Sequence, residues 1–349
     1  MQFCNFAVKY DNMYRSVYSV LSGAFLSIIL SCSCTGRSGA SGTAVTAEKP
    51  AALLLGAFNA DSAYNFISRQ VAFGPRVPGT ESHERCAEYL IGELKRIGVD
   101  TMYVQRGKVT AFNGDVLPIT NIIAGFNSTS LKRVLLVAHW DTRPWADNET
   151  DPEKRNTPIP GANDGASGVG VILEIARNLS HTPANIGVDI LFVDAEDYGD
   201  SSFFEDNTES WCLGTQYWVD NMVPYTIRNL PGYGILLDMV GGKGARFHQE
   251  SFSRQNASDA TIKIWNEAKN LGHDNVFIDA MGGAITDDHI FLTHAGIPTV
   301  DIIESVNHIT GSFPPTWHTL SDDMSGISRS TLKAVGETVL NVIYKEKGY

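Results

Sequence analysis

Cysteine is scarce in this chain. Its copies at Cys4, Cys32, Cys34, Cys86 and Cys212 have spacings that match neither a zinc ribbon nor a C-x-x-C pair. Basic residues are also short: 27 Lys and Arg stand against 39 Asp and Glu, a formal charge of −12. No Lys/Arg run is long enough for a nucleic-acid surface, and the acidic balance opposes one. A hydrophobic content of 43% is too low for a protein with many membrane spans. The glycine-rich run Gly161–Gly168 is not followed by Gly-Lys-Ser/Thr, so it lacks the spacing of a phosphate loop. No internal repeat shows, and no second domain boundary after residue 53. At 349 residues the chain is long enough for a large buried core.

The N-terminus reads as a processing segment rather than fold. Val17–Leu30 is apolar, the length of a signal core and short for a transmembrane span. Lys9 and Arg15 precede it. Ile29-Leu30-Ser31-Cys32 resembles a bacterial lipobox with Cys32 as the lipidated residue, although Leu30 is bulkier than usual there. The alternative is ordinary signal-peptidase cleavage in the small-residue stretch that follows. The expected organisation is a signal segment over 1–32, a Gly/Ser/Thr/Ala-rich tether over 33–52 and a catalytic domain over 53–349. The product would be a lipid-anchored protein of the bacterial cell envelope, facing periplasm or exterior. Cys34, Cys86 and Cys212 would remain, read as structural cysteines; a Cys86–Cys212 disulfide is left open.

Strand and helix patterns alternate along the rest. Glu81–Ile97 places Cys86, Leu90, Leu94 and Ile97 at helical spacing, and Gly98 ends the run. Apolar runs at 100–109 and 117–124 flank Asn113-Gly114-Asp115, a hairpin signal. Continuous apolar stretches at 133–138 and 188–193 read as strands buried on both faces, with further strands at 234–237 and 298–303. Helices are expected at 168–179, opened by Asp164 or Ser167, and at 213–219, 259–271 and 330–344. The expected class is α/β: one domain with a mostly parallel central sheet flanked by helices.

Polar clusters gather just past these strands. They are His139 and Asp141, Asp164, Glu196 and Asp197, Asp238, and His318. In open α/β sheets the C-terminal strand ends line the ligand crevice, and carboxylates with imidazoles there suit a divalent zinc site. His139 and Asp141 would both bind metal, or Asp141 would orient the His139 ring. Asp164 reads either as a helix cap or as a ligand. Glu196-Asp197 is the most informative pair. Adjacent acids at a strand end repel, unless one binds a metal and the other stays free as a proton carrier with a raised pKa. Asp287-Asp288-His289 is a polar group before an apolar run. Trp317-His318, between Pro314-Pro315 and Ser321-Asp322-Asp323, suits a rigid loop with an aromatic wall and one ligand.

The order His-x-Asp, Asn-Asp, Glu-Asp, Leu-Leu-Asp, Trp-His-Thr resembles the zinc aminopeptidase (M28-like) clan, over roughly Phe58 to Tyr344. Within it, Ile285–Phe291, Ser312–Thr319 and Ile235–Met239 resemble segments of glutaminyl cyclases, namely bacterial enzymes similar to the mammalian ones. That resemblance implies an enzyme converting N-terminal glutamine of peptides to pyroglutamate with release of ammonia. It implies one zinc per chain, held by Asp164, Asp197 and His318. Glu196 would carry the proton, Asp287 and Asp238 would form an acid network, and Trp317, Phe313 and Thr286 would line the substrate pocket. His139 matches a ligand of the second metal in aminopeptidases that cyclases leave unligated. The chain departs from the mammalian pattern at Asp197, where Glu is usual, and at Thr286, where Gln is usual. Two other readings stand beside this one: a two-zinc aminopeptidase that also uses His139 and Asp238, and a peptide-binding surface lipoprotein without activity.

Overall fold

Eight strands are found among the described residues: β1 (Thr101–Thr110), β2 (Val116–Phe126), β3 (Arg133–His139), β4 (Gly187–Val193), β5 (Tyr233–Leu237), β6 (Phe247–Gln249), β7 (Phe277–Met281) and β8 (Thr299–Ile302). The computed structural model describes residues 57–202, 207–227 and 229–348, all within the unit Ala51–Tyr349. Cys32, Cys34 and the expected signal and tether lie outside the described residues. Six strands form one sheet in the order β1-β2-β4-β3-β5-β8, and β6 pairs with β7 in a small second sheet. β4, β3, β5 and β8 run parallel. β2 runs antiparallel to both β1 and β4. The sheet is therefore mostly parallel, as expected, with one reversed strand contributed by the hairpin. Its turn is held by Asn113, whose Oδ1 accepts from the Asp115 amide at 3.0 Å.

The helices are α1 (Ala60–Val71), α2 (Glu81–Ile97), α3 (Ala166–His181), α4 (Leu213–Asp220), α5 (Ser251–Asn256), α6 (Ser258–Leu271), α7 (Asp288–His294) and α8 (Arg329–Lys345). Every residue of β3 and β4 is buried, because helices cover both faces. Alternation along β3 divides the core. Val134, Leu136 and Ala138 pack with α1, α2, α3, α6 and α8, whereas Leu135 and Val137 pack with Trp218 of α4 and Leu292 of α7. Among the described residues, no helix is long and apolar enough to cross a membrane.

The expected opening of α3 is corrected. Neither Asp164 nor Ser167 caps it; the N-cap is Gly165, with φ 92° and no side-chain cap bond. A Cβ at Gly165 would lie 2.5 Å from the Asp141 carbonyl oxygen and 3.1 Å from the His139 ring, so a side chain there is excluded sterically as well as by backbone conformation. Ser167 lies in the first turn, where its hydroxyl donates to the Asn163 carbonyl at 2.6 Å and accepts from the Val240 amide at 2.9 Å. Asp164 is thereby released from capping, and its carboxylate projects into the crevice.

Candidate active site

The C-terminal ends of the parallel strands deliver the site. β3 ends at His139, β4 leads into Asp194–Asp197, β5 leads into Asp238, and β8 ends at Ile302, before Ile303. Above them lies a cleft of about 530 Å³, lined among others by Asp164, Glu196, Asp197, Asp238, Thr286, Asp287, Phe313, Trp317 and His318. All of these were singled out from the sequence.

Two groups of metal-ligating atoms share Asp164. In the first, Asp164, Asp197 and His318 are all buried, with ligand atoms within 4.8 Å of one another. His318 Nε2 lies 3.1 Å from Asp197 Oδ1 and 3.7 Å from Asp164 Oδ2. In the second, His139 Nε2 lies 3.1 Å from Asp164 Oδ1 and 3.2 Å from Asp238 Oδ1. The first group fits a zinc ion. Two carboxylates and an imidazole are a normal zinc donor set with room for one further ligand. Asp197 Oδ2, though buried, has no hydrogen-bond partner among the described residues. A buried carboxylate oxygen without a donor is costly unless a cation answers it.

Surrounding groups hold these ligands in place. Asp141 accepts from the Glu196 and Asp197 amides at 3.1 and 3.3 Å, and its Oδ1 lies 3.3 Å from His139 Nδ1. It thus sets the His139 ring and the Glu196-Asp197 backbone together. Asp322 accepts from the amides of Asn163 and Asp164 at 2.8 and 3.0 Å. Burial, with Asp164 adding to it, pushes the Asp322 carboxyl up to about 7. His318 Nδ1 lies 3.2 Å from Asp147 Oδ1, and Arg143 Nη2 donates to Asp147 Oδ2 at 2.6 Å. Burial works against a proton on His318, but Asp197 and Asp147 outweigh it and push the ring up to about 9. The loop around His318 is pinned by Asn148, whose amide donates to the His318 carbonyl at 3.1 Å.

Glu196 is partly exposed to the cleft and belongs to neither of the groups that share Asp164. Burial drives its carboxyl well above the usual range; Asp287, Asp197 and Asp288 add to this against the opposing pull of His139. Asp287 caps α7, accepting from the Asp288 amide at 2.5 Å, while its Oδ2 finds no partner among the described residues. Burial, then Asp238 and Asp288, raise it well above the usual range too. Aromatic rings also line the cleft: Phe313 and Trp317 have centroids 4.4 Å apart, and Trp317 stacks on His318 at 3.8 Å.

Several participants escape a reading of the sequence. Asp147 and Arg143 sit in His-Trp-Asp-Thr-Arg-Pro-Trp-Ala-Asp without a periodic signal, and Asp147 reaches a ligand far along the chain. Trp211 lines the cleft and lies stacked 6.2 Å from the His318 ring. Asp301 carried a usable signal, being an acid inside an apolar buried strand. Cys86 and Cys212 are both buried free thiols, so no disulfide joins them.

The sequence pattern of Peptidase family M28 matches residues 121–343. The chain belongs to Peptidase family M28. Several solved structures resemble this chain closely. A glutaminyl cyclase of Bacteroides thetaiotaomicron, solved with N-acetylhistamine bound, is 50% identical, with 83% of this chain and 99% of that one covered and a TM-score of 0.79. A structure described as a leucine aminopeptidase precursor from Bacteroides thetaiotaomicron VPI-5482 is 49% identical over 83% and 98% of the two chains, with a TM-score of 0.78. The glutaminyl-peptide cyclotransferase of Bos taurus is 22% identical over 284 residues, 74% of each chain. The M28 fold and the resemblance to bacterial glutaminyl cyclases drawn from the sequence agree with these likenesses.

Proposed function

We propose that this M28 protein is a zinc-dependent glutaminyl-peptide cyclotransferase. It closes the N-terminal glutamine of peptides or proteins to pyroglutamate and releases ammonia. The observation that carries the reading is the acid cluster beside the ligands: Asp287, from the segment that resembles cyclases, has its carboxylate within 4.8 Å of that of Glu196 in a cleft also lined by aromatic rings. The 50% identity to a glutaminyl cyclase supports it.

Asp164, Asp197 and His318 would hold the single zinc. A zinc ion there supplies Lewis-acid polarisation of the substrate's γ-carbonyl. Phe313 and Trp317 wall the pocket that takes the flat carboxamide, with Thr286 beside them, and exclude water from it. Folded in this way, the α-amine reaches its own γ-carbon, so much of the rate gain comes from proximity. A bond forms between the amine nitrogen and the γ-carbon, and the bond to the carboxamide nitrogen breaks. Glu196 takes the proton that the amine loses and returns it to the departing nitrogen, which leaves as ammonia. Asp287 and Asp238 keep negative charge and shared protons next to Glu196, favouring the form that can hold a proton between the two transfers.

A second reading has its own support. His139, Asp164 and Asp238 form another ligand group, as a two-zinc aminopeptidase requires. One experiment separates them. Peptides beginning with Gln, Leu or Ala are incubated with the protein and weighed by mass spectrometry, alongside metal analysis. Loss of ammonia from the Gln peptide alone, stopped by a chelator, with about one zinc per chain, is the expected result. Free amino acids, with a second zinc lost on His139→Ala, would establish the aminopeptidase. For the N-terminal segment, the reading carried forward is lipidation at Cys32 and envelope anchoring, supported by the apolar run before it and the tether after it.

A further inference from the structure

The mechanism above leaves one buried group beside Glu196 unused. Cys212 is wholly buried, and its Sγ donates to Glu196 Oε1 at 3.3 Å. The ligand-type atoms of Glu196, Cys212 and Asp287 all lie within 4.8 Å of one another. The thiol is therefore wedged among acids and is a donor to the one that moves protons.

The backbone around it is built for this position. Cys212 is left-handed, with φ 56°, and so is Ala195, the residue before Glu196, with φ 49°. Both conformations are costly for a residue with a Cβ. Their two segments are joined by a pair of main-chain bonds: the Cys212 amide donates to the Glu196 carbonyl and the Leu213 amide to the Ala195 carbonyl, each at 3.0 Å. Cys212 thus grips Glu196 at the main chain and at the carboxylate together. No disulfide claims the sulfur, and burial keeps its proton on.

We infer that Cys212 is a positioning residue for Glu196, its thiol fixing the carboxylate orientation that proton transfer needs. The inference rests on the cyclotransferase reading above. A carboxylate aimed only by the solvent side of the cleft would sample several rotamers. With one oxygen engaged by the thiol, the other is presented toward the pocket.

The test compares Cys212→Ala and Cys212→Ser with the wild-type protein on a peptide beginning with Gln. Cys212→Ala is expected to lower kcat roughly tenfold, the low end for losing a hydrogen bond to a charged group because a thiol is a weak donor. KM and zinc content should change little. Cys212→Ser, which restores a donor, should return kcat to within about threefold of wild type, where losing and regaining one hydrogen bond is the only change made. A merely structural cysteine would behave otherwise: serine, polar in a buried place, would be the more damaging substitution, and melting temperature would fall with activity. Wild-type kcat in Cys212→Ala, or Ser no better than Ala at unchanged melting temperature, overturns the inference. Should both variants fold poorly, the wild-type S–H infrared band decides. It should be shifted by hydrogen bonding and should move in Glu196→Gln; a band that does not respond to that substitution also overturns the inference. If the wild-type protein makes no pyroglutamate at all, the functional reading fails instead, and the infrared band still reports on the contact.

Discussion

Glu250 is expected to tie the floor of the cleft to the fold, and its pH signature can be worked out from the structure. Its carboxylate is fully buried. It accepts from the amides of Phe252 and Ser253 at 2.9 and 2.6 Å, from the Ser253 hydroxyl at 2.7 Å and from the Ile285 amide at 3.1 Å. His289 Nε2 lies 3.2 Å away. It therefore starts α5 and at the same time holds the segment that presents Thr286 and Asp287. Burial alone would raise its pKa, but His289 and the backbone donors outweigh it and bring it from 4.5 down to about 2.

A folded-state pKa below the unfolded one means stability that is fully present above the unfolded value and is lost as pH falls toward the folded one. The drop from 4.5 to about 2 corresponds to ~3 kcal/mol held at neutral pH. By the same relation, about 1 kcal/mol of it is gone at pH 4 and about 2 kcal/mol at pH 3. Glu250→Gln keeps the shape, cannot ionise and turns one acceptor into a donor. Urea unfolding of both proteins from pH 7 to pH 3 should show a gap that is largest at pH 7 and closes through that window. A gap that is constant with pH, or absent at pH 7, would refute the reasoning. The variant should also lose activity beyond its stability loss, because Asp287 and Thr286 are no longer held.

Three further outcomes are expected. Glu196→Gln should keep fold and zinc but lose turnover by roughly 10²–10⁴-fold in a steady-state ammonia assay, since only the proton carrier is removed. Asp147→Ala should weaken zinc binding by roughly 10–100-fold in competition with a chelator, because it frees the His318 ring from its outer partner; an unchanged affinity would show that the ring is held by Trp317 and the loop alone. Cys32→Ala should move full-length protein from the membrane to the soluble fraction, and equal distribution of both forms would count against lipidation.

The legible parts of this molecule are those set by local pattern. β3 and β4 are continuous apolar runs because both faces are covered, and α2 shows its buried stripe of Cys86, Leu90 and Leu94. The acids after the strands were visible because polar residues at the end of a buried run are conspicuous. Resemblance added the assignment of roles to them. What was not legible depends on contacts distant in sequence. Asp147 meets His318 where Asn148 and Glu149 bond the loop that carries the histidine, the latter through the Leu320 amide at 2.9 Å. Nothing near Asp147 in the chain announces that. For Asp164 the local pattern left two readings, cap or ligand, and the cap reading fell: Gly165 opens α3 with its backbone alone. The short elements β6, β7, α5 and α7 have too few residues for a period to show.

The distribution of backbone strain ties these observations to function. The non-glycine residues at positive φ are Asn127, Ala195, Cys212, Met239 and His318 among the described residues. All but Asn127 are in the site or next to a member of it. Each conformation costs roughly 1–2 kcal/mol, and strain of this kind persists where neighbouring structure over-determines it. Here the neighbours are identifiable. Ala195 accepts from the Leu213 amide and Cys212 donates to the Glu196 carbonyl, Met239 follows Asp238 just past β5, and the His318 carbonyl is held by Asn148. A strand left to continue would send successive side chains to opposite faces. A single left-handed residue at its end breaks that alternation, so that adjacent residues can both serve one crevice. Glu196 can then face the substrate while Asp197 faces the ligand group, although they are neighbours in the chain. The site is therefore aimed largely by its backbone, which is why an inspection of side-chain types finds its members but not the means that hold them.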